Sequence, residues 1–140
     1  MSPKTALLLA KLDPPKQGET QWNEHYNTVH VADRLKIPGF LSARRFTKIE
    51  GLPKDYAIGG EAKYLALYDL ASVKVLTDDP YARLREKEST RGPNSFDAQV
   101  FKLPNFGRGA YEQIYPEKGD YKAPPSEFVF VVGHDAPPNR

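Results

Sequence analysis

The chain contains no cysteine. Disulfides, thiolate nucleophiles and cysteine-ligated metal sites are therefore excluded together, and the absence suits a reducing compartment. Nothing in it approaches the ~20 apolar residues of a membrane-spanning helix, and the ALLLA run near the start is too short and too poorly flanked to read as a signal peptide. A dense basic cluster is also missing. The 20 basic and 18 acidic residues are mixed along the chain to a formal charge of +2, which leaves no footprint for neutralising a phosphate backbone. There is no HExxH, no phosphate-binding glycine loop, no GxGxxG after a strand and no serine elbow. Histidine is scarce too, at three residues. His25 and His30 lie about 140° apart around a helix, so they do not face one ion, and His134 beside Asp135 at a strand end reads as a solvated pair. The expectation is a cytoplasmic protein with no metal and no nucleic-acid or membrane partner.

What remains is a chain of 140 residues, 39% hydrophobic, which suits one domain with a modest core that a shared interface would supplement. Proline is abundant, at 13 residues, with pairs at Pro14-Pro15, Pro124-Pro125 and Pro137-Pro138. These pairs mark loops and a flexible tail from about residue 136, because proline disfavours helix and central strand.

Along the chain, Thr5 to Leu12 reads as a first strand and Thr20 as the cap of a helix running to about Lys36. Pro38 and Gly39 end that helix, Gly39 supplying positive φ for a reversal. Strand two follows from Phe40 to Ile49, with Phe40, Ser42, Arg44 and Phe46 alternating onto one face. Lys63 to Leu70 is strand three. A bipartite helix comes next, capped at Ser72 and again at Asp79 before Pro80, and running to Ser89. Ala98 to Leu103 reads as a strand interrupted near Gly107 and Gly109 and resumed from Ala110 to Tyr115, and Glu127 to Val132 as the last strand. The order is α+β, a ferredoxin-like β-α-β-β-α-β with additional strand material.

The stretch from Trp22 to Phe46 carries the chemistry. At about 100° per residue, with Trp22 as zero, Tyr26, Val29, Asp33 and Ile37 fall between about −20° and 60°, and His30 near 80°. A histidine beside a tyrosine and an aspartate on a half-buried face has the makings of a proton-transfer site, since imidazole titrates near neutrality. From spacing alone, such a histidine is more commonly a hydrogen-bonded boundary residue. Of Arg44 and Arg45, neighbours on one strand, only one can enter a cavity, and Tyr64 and Tyr68 are equally suited to lining a pocket or to packing.

The same residues, Trp22, Tyr26, His30, Arg34 or Lys36, and then Ile37-Pro38-Gly39-Phe40, resemble the helix-turn-strand signature of the EthD-like branch of the dimeric α/β-barrel superfamily. A proline soon after the histidine, frequent in that branch, is replaced here by Val31-Ala32-Asp33. The resemblance implies a single domain over residues 1–140 that pairs sheet to sheet in a homodimer. It also implies a cofactor-independent enzyme of lyase, dehydratase or isomerase type, acting on a small, mainly apolar, aromatic or polyketide-like molecule. His30, Tyr26 and Asp33 would carry the proton chemistry, and Trp22, Tyr64, Tyr68, Arg44 and Phe46 would hold the substrate. A cofactor-free monooxygenase, a non-catalytic ligand-binding accessory protein and a haem protein with His30 or His134 as axial ligand are the alternatives within the same fold.

Overall fold

The computed structural model describes residues 4–56, 61–115, 117 and 131. Strand β1 (Ala6–Leu12) is followed by one continuous helical rod made of α1 (Glu19–His25), a π-helical turn (Tyr26–His30) and α2 (Val31–Leu35). Then come β2 (Phe40–Thr47), β3 (Tyr64–Leu70), a 3-10 turn (Val73–Leu76), α3 (Asp79–Ser89), α4 (Phe96–Val100) and β4 (Gly107–Glu112). The sheet order is β2-β3-β1-β4, and every pairing is antiparallel. This is the ferredoxin-like arrangement expected from the order of elements.

The sheet sorts its residues by alternation. In β1, Ala6, Leu8, Ala10 and Leu12 are buried while their neighbours are half exposed. Register carries that face across to Ala66, Tyr68 and Leu70 on β3 and to Arg108 and Ala110 on β4. The helices pack there, and Val75, Tyr81 and Val100 complete the core. On the opposite face Leu9 lies level with Leu67 and Arg44, and Lys11 with Leu65 and Phe46.

Four expectations are corrected. The helical rod starts after Gly18, whose positive φ of 72° and carbonyl, bonded by the Trp22 N–H, do the work expected of Thr20. The second helix is capped at Asp78, one residue before Asp79, with Pro80 in its first turn. The segment expected as a strand from Ala98 is instead helical: Ser95 Oγ accepts from the Ala98 N–H at 3.2 Å and caps α4. A short apolar run between turns fits strand or helix alike, and the serine two residues upstream of Asp97 decided it. The resumed strand begins at Gly107 rather than Ala110, so the Gly-Arg-Gly run lies within β4. The strand expected at 127–132 falls, but for Val131, outside the described residues.

The fifth difference bears on the site. A register shift between Phe40 and Ser42 inserts one residue into β2, and such a bulge swaps the faces on either side of it. Phe40 therefore turns toward the helices, packing on Tyr68 and Tyr81, while Ser42, Arg44 and Phe46 face the other way. Ala43 and Arg45 share the helix-side face.

Candidate active site

His30 closes the π-helical turn. The Val31 N–H bonds the Tyr26 carbonyl five residues back, so the rod holds one more residue than an α-helix of the same length. That residue sets back everything after it by about 100°. Arg34 takes the inward angle that regular spacing assigned to Asp33, and Arg34 is 4% exposed.

Around His30 Nδ1 three charged groups converge. Arg34 Nη1 lies 3.3 Å away, Asp97 Oδ1 3.5 Å and Glu88 Oε2 3.6 Å. Glu88, from α3, is held by both arms of the Arg34 guanidinium at 2.8 and 3.0 Å. Asp97, from α4, accepts from Arg91 Nη1 at 2.9 Å through its second oxygen. Its Oδ1 is sealed from solvent with no hydrogen bond of normal geometry, and it lies 3.5 Å from the imidazole Nδ1. Burial pushes the His30 pKa down, assisted by the Arg34 charge and opposed by Asp97 and Glu88. The imidazole is therefore neutral at neutral pH. Burial by itself would raise Asp97, but its polar neighbours, His30 and the Arg91 guanidinium among them, outweigh it and keep that carboxyl well below the usual range. Arg34, which burial would lower, is held above its ordinary value by Glu88.

Aromatic rings fix the imidazole in place. Tyr26 meets it edge-on at 5.0 Å and Phe96 packs at 5.0 Å on another side. Burial raises the pKa of Tyr26 and carries that of Tyr68 far above the usual tyrosine range, so both phenols keep their protons. The Tyr68 hydroxyl is buried without a hydrogen-bond partner. All of these groups except Phe96 and Arg91 line a cavity of about 300 Å³ between the sheet and the helices, walled elsewhere by Leu8, Ala10, Val100, Phe101 and Phe106. An unsatisfied buried polar group costs about 1–3 kcal/mol. A molecule able to bond Tyr68 Oη or Asp97 Oδ1 would recover part of that.

Of the residues expected at the site, the fold gathers His30, Tyr26 and Tyr68 on the cavity wall. Trp22 and Tyr64 form a layer behind it, with ring centroids 5.6 Å apart and Trp22 also 5.4 Å from Tyr26, and Tyr64 bonds Glu19 and Asn23. Asp33 is corrected: it lies 3.6 Å from Lys36 and 3.7 Å from Arg91, one residue removed from the imidazole, with Arg91 standing between it and Asp97. Arg44 and Phe46 are likewise corrected, since the bulge in β2 places them on the sheet face away from the cavity. They border an open hollow along the β2 edge with Asn23, Asn27 and Tyr64. The arginine on the helix side is Arg45, its guanidinium 3.9 Å from the centre of the Tyr26 ring and bonded to Asn23 and Asn27.

Glu88 and Asp97 were missed, and Arg34, present in the helix-turn-strand signature, had been given no place at the site. They come from three elements, and no spacing in the sequence joins them. His30, Glu88 and Asp97 are also the described residues that could hold a metal ion, one ligand atom of each lying within 4.8 Å of the others. The two carboxylates already have cationic partners in Arg34 and Arg91. No described helix is long and apolar enough to cross a membrane.

No protein-family model and no curated protein matches the sequence. Among solved structures, an EthD family protein from Bacillus halodurans superposes with a TM-score of 0.52 at 19% identity, over 79% of this chain and 99% of that one. The fold is EthD-like. HapK from Hahella chejuensis, at 13% identity and a TM-score of 0.44, aligns over 86% of this chain and 99% of its own.

Proposed function

We propose that the protein is an enzyme that moves a proton on or off a small, mainly apolar, aromatic or polyketide-like molecule, with no cofactor taking part. The observation that carries this reading is a buried, aromatic-boxed His30 on the wall of a cavity, with Asp97 Oδ1 facing its Nδ1 at 3.5 Å. Were Asp97 Oδ1, 3.5 Å from Nδ1, to accept from Nδ1–H in place of the Arg34 Nη1 contact at 3.3 Å, the tautomer would leave the Nε2 lone pair for a substrate proton. Among the described residues Nε2 has no partner of its own. Tyr26 and Tyr68, kept protonated by burial, would donate to a carbonyl as negative charge builds on its oxygen. The balance is that of an enolisation: the substrate C–H bond breaks, its electrons shift to the carbonyl oxygen, and the proton rests on imidazole before return or elimination.

A panel of cyclic 1,3-diketones and β-keto esters in D2O, followed by proton NMR, tests this without the natural substrate in hand. Deuterium wash-in above the buffer rate is expected, falling by about two orders of magnitude or more in His30→Gln. Equal wash-in by the folded variant would overturn the assignment, as would none by the parent protein.

The sheet face away from the helices supports a homodimer. It presents Leu7, Leu9, Leu65 and Phe46 half-buried in a single subunit, with Tyr111 exposed at its margin, and pairing two such faces would bury them.

A further inference from the structure

The cavity is not charge-neutral. Three arginines, Arg34, Arg85 and Arg108, and two carboxylates, Glu88 and Asp97, line it. At the inner end the charges are matched, Arg34 with Glu88 and Asp97 with Arg91. At the outer end they are not. Arg108 projects from the edge strand β4 on the helix side, level with Ala10, and the contact the structure gives it is with a ring: its guanidinium sits 5.2 Å from the centre of Phe101. No acidic residue pairs with it among the described residues. Arg85, from α3, stands 5.1 Å from the same ring, and its only carboxylate neighbour among the described residues is Glu88 at 4.0 Å, already committed to both arms of Arg34.

Two guanidiniums around one half-exposed phenylalanine ring have a defined chemistry. Stacking on an aromatic face holds a guanidinium while leaving its in-plane N–H groups free, and those groups match a carboxylate in paired geometry. Phe101 is 42% exposed and Arg85 and Arg108 come from different elements, so the pair marks the rim where a ligand enters. His30, Tyr26 and Tyr68 lie deep, at 9%, 2% and 2% exposure. A cavity of about 150 Å³ accepts one benzene ring, so about 300 Å³ has room for two fused rings between the ends.

We propose that the molecule this site takes is a planar ring carboxylate, its acid group bound at the rim by Arg85 and Arg108 and its oxygenated end directed to His30 and the tyrosines. This rests on the reading of the cavity as a small-molecule site, and it adds a substrate class and two positioning residues to it. A neutral ligand of the same shape would leave the rim charges solvated and uncompensated.

The test uses a matched pair of probes, 2-naphthoate and naphthalene-2-carboxamide, titrated into the full-length protein by calorimetry or NMR. The carboxylate is expected to bind at least about tenfold more tightly than the amide at low salt, with the difference shrinking as salt rises. In Arg85→Gln/Arg108→Gln, whose folding is checked by circular dichroism, the preference should vanish while the weaker amide binding persists. Equal affinity for the two probes, a preference retained by the double variant, or no binding of either at millimolar concentration would each overturn the proposal. His30→Gln separates the two readings. If deuterium wash-in proves independent of His30 but the anion preference holds, the rim stands and the proton-transfer assignment falls; the reverse pattern removes the rim alone.

Discussion

Glu88 is the residue on which the charged cluster turns, because it satisfies both arms of a buried arginine and stands beside the imidazole. Removing one partner of a buried ion pair leaves an uncompensated charge at a cost of about 3–5 kcal/mol, whereas replacing both with apolar groups is often neutral. Glu88→Ala should therefore lower unfolding free energy by an amount of that order in urea, and Arg34→Met/Glu88→Leu by far less. Similar losses in the two proteins would show that the pair itself is stabilising. His30 has its own signature. Because burial lowers its folded-state pKa below the ordinary histidine value of about 6.5, the unfolded chain binds more protons just under that pH, and stability falls as pH falls through it. His30→Phe should flatten the melting temperature between about pH 7.5 and 5.5 relative to the parent protein. Asp97 acts in a separate window: its depressed pKa contributes stability above the carboxylate range, lost only at pH below about 4 as the folded group titrates.

Elements differ in how openly the sequence announces them. The helix, the Pro38-Gly39 reversal and the third strand were legible because periodicity and turn chemistry agree there: Gly39 does adopt φ 96°. A Cβ at that position would overlap the Val75 side chain, so Gly39→Ala should cost about 1–3 kcal/mol, measured by denaturant unfolding, with partial recovery when Val75→Ala is added. His30, Tyr26 and Tyr68 were also legible, since Tyr26 opens the π-helical turn, His30 closes it ahead of the displaced residues, and Tyr68 lies on a regular strand. Asp33, Arg44 and Phe46 were misplaced for one reason: each follows a single extra residue, in the π-helical turn or in the β2 bulge, and a strict period carries its error to everything downstream. Arg34 and Arg45 are the neighbours that those insertions bring inward. Glu88 and Asp97 are a different matter, because their approach to His30 depends on how α3 and α4 pack across the sheet, which no local pattern encodes.

For the whole molecule the open sheet face sets the expectation. Sedimentation at micromolar concentration should give twice the chain mass, and Leu9→Glu, placing a charge amid the half-buried Leu7, Leu65 and Phe46 side, should shift it to one. A single-chain mass for the unaltered protein would exclude sheet-to-sheet pairing. The cavity lies on the opposite side of the sheet, among residues of one subunit, so ligand affinity in the Leu9 variant should hold within about threefold while the subunit remains folded.

The additional residue between Tyr26 and Val31 also means that the buried charge cluster is separated from a more regular molecule by the loss of one codon. Excising Thr28 would let the rod relax to a uniform coil and turn the Arg34 side chain toward solvent, leaving Glu88 without the guanidinium that holds both its oxygens. Such a shortened chain would retain its outline and lose the grouping around His30, so in this architecture the cavity wall is written into a misfit of phase as much as into the identity of any side chain.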